Sequence, residues 1–551
     1  MRPFRSTRTT RTRGRRGRLL VLVTVAVSVA ALALSGGTAS AAGSGFRKPS
    51  PGKIKMDTLS SAARAWWLGV GAGVNPNLRP AAVTFGTNVD ANDPNQDFGA
   101  GQSETAIAAA GNRVMAAWND VSGFLFLPTT DPRGSATGVG FSADGGRHFT
   151  DLIGLANDNP QQQWIGDPAV VAVDGGNTFV LASLYYPSIA ATCDAGPVQF
   201  QIAVEVATVG AAGQVTFSAP LVVASGGDLC PAEPAPDLSQ PDKDWLSYDP
   251  ASRTIALSYT RFFLGVGGQS GNGQVELLRA HVPADPRTLA AADFGTPIVV
   301  WPEEPLDENE GAYVSVAPGG DAYVGWERNW QTNLFNGDPY VYIHAAVVRA
   351  GASAPAAGGP DAPVVVTQGQ QNSSPAGGVK SMAAVVIPGY SRGVGNDFPR
   401  VAVDAPLGRV VFVWNDASLH PLGDIFLRTL DLSLGSPGAI AKVNDDSSFA
   451  LHFMPAVSVR ANGAIVTSWF DRRRGGPNST LTDYYAEVRA RPGSSASDAR
   501  ITTGQTDWNG TGSLVNPNFG DYTDNTSTGN RTYFTWSDGR IGVPQPFVDR
   551  R

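Results

Sequence analysis

Charged side chains recur at matching places along this chain. Glu104, Asp167, Asp244, Glu310, Arg400 and the pair Asp521-Tyr522 each precede a short apolar run. Asp120, Arg261, Arg328, Asp416, Asp471-Arg472, Asp538 and Arg540 each follow a second such run. If each pair of runs is a hairpin, both sets share one end of it, because the second strand returns to where the first began. Carboxylates and guanidiniums gathered on one concave face are what a carbohydrate or carboxylate site requires. The competing reading is structural. Carboxylates at strand ends bond backbone N–H groups of the next element, and Arg ties neighbours by ion pairs, so charges also cluster without function.

Other chemistries find little footing. The five His are scattered, with no His-Glu-x-x-His and no Cys/His zinc spacing. No Gly-Lys-Ser/Thr loop is present to cradle phosphate, and no nucleophile elbow appears. Asp90-Ala91-Asn92-Asp93 and Asn444-Asp445-Asp446 are oxygen-rich enough for calcium, but neither has a full ligand pattern, and solvated turns are the better reading. No cofactor is expected.

The elements that must position these residues repeat. Seven units follow one another: Gln102 to Asp120, Gly166 to Tyr186, Asp242 to Arg261, Glu310 to Arg328, Asp397 to Asp416, Met454 to Arg472, and Gly520 to Arg540. Each holds two apolar runs too close together for a crossover helix, so they pair antiparallel. Further strand-like segments follow, such as 199–206, 274–281, 340–348, 424–430 and 483–488. About four strands per unit is a propeller blade. An all-β, seven-bladed propeller is expected over 81–551, with six blades as the runner-up. The last unit lacks an outer strand, and Ala81–Val89 reads as an unpaired one. It is expected to complete the last blade and remove an open edge. The recurrent aromatics Trp118, Tyr259, Trp326, Trp414, Trp469 and Trp536 read as blade packing rather than a sugar-stacking platform. Asp57–Leu68 reads as a short helix within a 42–80 linker.

The first 41 residues read as a signal peptide. Arg2–Arg18 is basic, Leu19–Leu34 is apolar and uncharged, and Ala39-Ser40-Ala41 suits cleavage. Arg15-Arg16 leaves twin-arginine and general export both open. Removing the eight Arg of residues 1–41 from a formal net charge of −7 leaves about −15. So acidic a surface suits neither nucleic acid nor an anionic membrane. Cys193 and Cys230 are the only cysteines, and export favours a disulfide between them over two buried thiols.

Ser142-Ala143-Asp144-Gly145-Gly146-Arg147-His148-Phe149 fits Ser-x-Asp-x-Gly-x-x-Phe. Asp144 can accept N–H bonds across a turn, Gly146 allows a positive φ, and Phe149 packs beneath. With this box, the pieces Gln102-Ser103-Glu104-Thr105, Gly166-Asp167-Pro168, Asp242-Lys243-Asp244-Trp245, Trp469-Phe470-Asp471-Arg472-Arg473 and Phe519-Gly520-Asp521-Tyr522 give a resemblance. The chain resembles secreted bacterial propellers of the sialidase (BNR/Asp-box) superfamily over nearly all of 81–551. The resemblance implies a structural role for Ser142, Asp144, Gly146 and Phe149 between the third and fourth strands of a blade. It also implies a site with Arg261, Arg328 and Arg400 clamping a sugar carboxylate, Tyr522 as nucleophile with Glu310, and Asp167 as acid. Glu104, Asp471 and Asp521 would line it. These are matches of position, and the family's Arg-Ile-Pro signature is missing; Asn77-Leu78-Arg79-Pro80 is a poor substitute.

Two main functions follow, with a polysaccharide lyase on the same scaffold as a third and weaker option. One is a secreted, monomeric propeller acting on extracellular glycan or glycoprotein as an exo-glycosidase of the exo-alpha-sialidase type. The other is a non-catalytic propeller that binds glycan or protein on the same face. The first predicts a compact Arg cluster facing Tyr and carboxylate in one pocket. The second predicts Arg spent on ties between blades.

Overall fold

The structure is a computed structural model. It describes residues 87–551 except 96–99, 123–133, 158, 189–190, 231–237, 264–272, 305–307, 330–339, 360, 491–493, 495 and 515–516. The expected signal peptide, the 42–80 linker and the helix at Asp57–Leu68 lie outside the described residues.

Long apolar runs on second strands explain the architecture. In Arg409–Asp416, five consecutive residues from Val410 to Trp414 are buried. A strand buried on both faces needs a sheet packed on each side, which a ring of sheets supplies. Seven sheets form that ring. Their inner strands are Gln102–Ala110, Gln162–Val173, Ser239–Asp249, Asn309–Val316, Arg400–Asp404, His452–Val459 and Asp524–Thr528. Each inner strand packs beside those of the blades before and after it, and the last packs on the first. Small residues such as Ala106, Ala108 and Ala169 sit on these strands, where seven chains converge.

The ring closes as expected. Blade 7 consists of Asp524–Thr528, Arg531–Asp538 and Gln545–Arg550, with Val89–Asp90 as its outermost strand. Val89 lies opposite Val548 and Asp90 opposite Phe547. The N-terminal strand thus covers the edge that the C-terminal strand would expose. Seven blades, not six, is the observed count.

The aromatic of each second strand is core. Trp118, Tyr259, Trp326, Trp414, Trp469 and Trp536 are all buried between blades. In three blades the residue two positions on serves the indole: Trp414 Nε1 donates to Asp416 (3.0 Å), Trp469 to Asp471 (2.9 Å) and Trp536 to Asp538 (2.7 Å). The other oxygen of each carboxylate accepts the backbone N–H of Ser418, Arg473 or Arg540. In these three blades Trp-x-Asp ends the strand by satisfying a buried indole and closing the following turn.

Two local devices match their sequence signals. Asp144 Oδ1 accepts N–H bonds from Arg147 and His148 (3.0 and 3.1 Å) and a hydroxyl bond from Ser142, while Gly146 takes φ 74°. This turn joins the third and fourth strands of blade 1, with Phe149 packed on the core. Cys193 and Cys230 form a disulfide with Cα atoms 5.5 Å apart.

Candidate functional site

Five inner strands carry the same irregularity at the same height. Pairing skips two residues between Ser103 and Ala106, Gly166 and Ala169, Asp242 and Trp245, Glu310 and Tyr313, and Phe453 and Ala456. Two residues there oppose one on the second strand, which is a β-bulge. The first bulged residue is left-handed each time: Glu104 (φ 52°), Asp167 (54°), Lys243 (56°), Gly311 (65°) and Met454 (53°). A side chain in this conformation costs about 1–2 kcal/mol, so four non-Gly residues hold strain that the ring repays elsewhere. Met454 shows that the bulge belongs to the blade itself. What varies is the chemistry mounted on it, and in blades 1–3 that is two carboxyls and an amine.

These groups meet at one end of the central channel. Glu104 Oε1 accepts the N–H of Asp521 (3.0 Å), and Asn119 donates to Glu104 Oε2. The same Asn119 accepts the N–H of Asp167 (2.6 Å). Lys243 Nζ lies 2.5 Å from Asp521 Oδ2, which ties blade 3 to the entry of blade 7 across the ring. Arg392 pairs with Asp521 Oδ1, and the Tyr390 hydroxyl donates to it (2.9 Å). Gly520 (φ 80°) lies so close to Glu104 that a Cβ there would sit 2.5 Å from its backbone nitrogen. Asn415 repeats the role of Asn119 by accepting the N–H of Met454 (3.1 Å), and Glu327 accepts that of Asp397 (3.2 Å).

Burial controls protonation here. Asp167 is raised well above the usual carboxylate range by desolvation first and by Glu104 second, which favours its protonated form. Glu310 and Asp244 are raised chiefly by burial, and the Glu310 carboxyl has no hydrogen-bond partner among the described residues. Burial opposes the charge of Lys243, but the neighbouring carboxylates, Asp521 first among them, outweigh it and hold the amine cationic. The arrangement offers proton donors beside a carboxylate fixed by two cations, which is acid–base equipment.

A plug of aromatic rings lies beneath. Trp245 stacks on Tyr313 (centroids 4.1 Å) and meets Tyr522 edge-on (5.8 Å). The Arg400 guanidinium lies over all three rings, at 4.4 Å from Tyr313, 5.3 Å from Tyr522 and 5.4 Å from Trp245. Beyond the plug, the inner strands line an open cavity of about 330 Å³ running from Trp245, Tyr313 and Asp524 down to Tyr248, Val316 and Ser527.

Glu104, Asp167, Glu310, Asp521, Tyr522 and Arg400, all singled out from the sequence, are thus brought to one end of the channel and its plug. Arg261 and Arg328 are occupied elsewhere. Arg261 pairs with Glu276 (2.8 Å) and reaches Ser225 O of the preceding blade (2.9 Å). Arg328 pairs with Glu304 (2.9 Å) on the connector from blade 3. The described partners of the three expected clamp residues are all different. The Tyr522 hydroxyl points to Pro168 O (3.5 Å), and burial pushes its phenol up, away from nucleophilic character. Asp471 is spent on Trp469 and Arg473. The loop at Asp445 and Asp446, considered for calcium, is met by Arg473 (3.1 Å) and His452 (3.0 Å).

Sequence reasoning missed Lys243 as a site residue, although its motif was noted, because a lone Lys among acids reads as solubility. Tyr390 and Arg392 were missed because they come from a connector without strand pattern. Asn119 and Glu327 carried a signal, as the middle residues of Trp-x-Asp and Trp-x-Arg.

No family model matches the chain. No curated protein matches it either. Among solved structures it is similar to an alpha-L-arabinanase of Penicillium chrysogenum, at 10% identity and a TM-score of 0.42, over 85% of this chain and 98% of that one. It is similar to a Hadza microbial sialidase at 11% identity and a TM-score of 0.39, over 72% and 67% of the two chains. It is similar to the sialidase of Trypanosoma rangeli at 10% identity and a TM-score of 0.35, over 70% and 54%. The chain's own seven sheets make it a seven-bladed β-propeller, and its structural neighbours include sialidases and an arabinanase.

Proposed function

We propose that this chain is a secreted propeller that hydrolyses glycosidic bonds at the end of its channel where the bulges lie. One observation carries the reading: strained bulges in consecutive blades deliver Glu104, Asp167 and Lys243 to one buried cluster with Asp521. In it, Asp167 is the general acid. Burial and the neighbouring Glu104 raise its carboxyl well above the usual carboxylate range, which favours the protonated form a general acid needs. Asp521, held by Lys243, Arg392 and Tyr390, is the carboxylate that opposes it. Export by the N-terminal segment, with cleavage after Ala41, supplies the extracellular setting in which glycan is met.

The finer reading, an exo-alpha-sialidase, needs an anion clamp and a Tyr nucleophile, and Arg261 and Arg328 have other partners. Their ties between neighbouring blade segments favour a second reading, a non-catalytic glycan-binding propeller.

The test is release of the aryl group from a panel of aryl glycosides: sialoside, arabinofuranoside and xyloside. Release by the parent, lost in Asp167→Asn and Asp521→Asn, supports hydrolysis. Release from the sialoside alone, lost also in Tyr522→Phe, supports the sialidase form. Inertness toward the panel with retention on immobilised glycan would move the reading to the binding propeller.

A further inference from the structure

Arg400 poses a problem of charge. It is 4 % exposed, yet among the described residues its guanidinium makes no hydrogen bond and no ion pair, and its Nε is buried without a partner. A guanidinium carries five N–H donors, and a buried cation normally meets an anion. The rings of Trp245, Tyr313 and Tyr522 offset part of the desolvation through their faces, but they accept no proper N–H bond.

Asp524, a carboxylate within electrostatic reach, does not do the work. Asp524 lies at the end of the channel cavity, within the electrostatic reach of Arg400, but forms no ion pair with it. Its oxygens accept the N–H of Ile107 (3.0 Å) and the hydroxyl of Tyr313 (3.4 Å). The cations that could share a larger anion, Lys243 and Arg392, are paired with Asp521. What remains is one buried positive charge with unused donors, walled by aromatic rings, two of which, Trp245 and Tyr313, also line the channel cavity.

We propose that Arg400 holds a halide ion inside the propeller, making the aromatic plug a built monovalent-anion site. The single cation fixes the charge of the ligand at one. The close rings fix its size, and the apolar walls favour a weakly hydrated, polarisable ion over a strongly hydrated one. Bound there, the ion pins the inner strand of blade 5 to the plug residues of blades 3, 4 and 7. This site adjoins the proposed acid–base cluster, but the argument for it rests on Arg400 and the rings alone.

The test uses the full chain. Crystals grown in sodium bromide are measured at the bromine absorption edge, and thermal unfolding is followed in sodium chloride and in sodium gluconate at equal ionic strength. The expected result is an anomalous peak at the Arg400 guanidinium and a higher Tm in chloride. An ion at about a hundredfold its Kd lowers the unfolded fraction about a hundredfold. Arg400→Gln should abolish both signals. Asp524→Asn, which removes a carboxylate within electrostatic reach of Arg400, should strengthen halide binding several-fold and keeps the proposal testable if Arg400→Gln fails to fold. Bromide absent from the plug, equal Tm in the two salts, or weaker halide binding in Asp524→Asn would overturn it.

Discussion

Lys243→Met tests whether the buried cluster is one coupled electrostatic unit. The substitution suits the backbone, because Met454 occupies the equivalent left-handed position in blade 6. It removes an amine that is 3 % exposed and lies 2.5 Å from Asp521, itself fully buried. Breaking a buried pair from one side costs about 3–5 kcal/mol, since the remaining charge is stranded. Asp521 keeps Arg392, which places the expected loss at the lower end, about 3 kcal/mol. Lys243 also holds down the carboxyls of Asp167 and Glu310, so both should rise further in the variant. The assay is urea unfolding followed by Trp fluorescence at neutral pH, in a cycle with Asp521→Asn and the double variant. The double variant should lose less than the sum of the singles by about 2 kcal/mol, because no charge is left unpaired between the two positions. A loss below about 1 kcal/mol in Lys243→Met, or strict additivity in the cycle, would refute the argument that this pair holds blades 3 and 7 together.

Three further outcomes are expected. Burial pushes the Asp524 carboxyl up from 3.8 to about 7, so the folded protein binds this proton more tightly than the unfolded chain does. Its stabilising contribution is complete below about pH 4 and lost as pH rises through 7; Asp524→Asn in halide-free buffer should flatten that slope and gain up to about 4 kcal/mol at pH 8, read from urea midpoints across pH. Replacing both Cys193 and Cys230 by Ser opens a loop with a sequence separation of 37, and the chain-entropy relation gives a loss of about 4 kcal/mol, measurable as a lower urea midpoint. Asp416→Ala strands the Trp414 indole and the Ser418 N–H, and should cost about 1–3 kcal/mol in the same assay, with a shift in Trp emission.

Much of the fold was legible because it is local and repeated. Apolar runs of strand length recur seven times, and the missing outer strand of the last unit pointed to an N-terminal strand as its closure. The Ser142–Phe149 turn and the cysteine pair were readable because a few adjacent residues, or only two of a kind, leave few alternatives. The positional argument also gathered Glu104, Asp167, Glu310 and Asp521 on one face, since a hairpin returns its chain to the end where it began.

Which of those charges meet was decided by the tertiary structure. Asp416, Asp471 and Asp538 look like site residues in sequence, yet each turns to an indole two residues away, because a buried N–H must be satisfied. Arg261 and Arg328 carry the same charge as Arg400, but neighbouring carboxylates claim them, while Arg400 falls among three rings from three other blades. Lys243 and Asp521 are 278 positions apart and touch only because the ring closes. The sequence by itself determined the repeated strand pairs and their shared polar end, which follow from side-chain pattern, while the choice of seven blades over six came with the structure. Partner choice among like charges follows from closure of the ring, which sets distances across the channel that no stretch of sequence encodes.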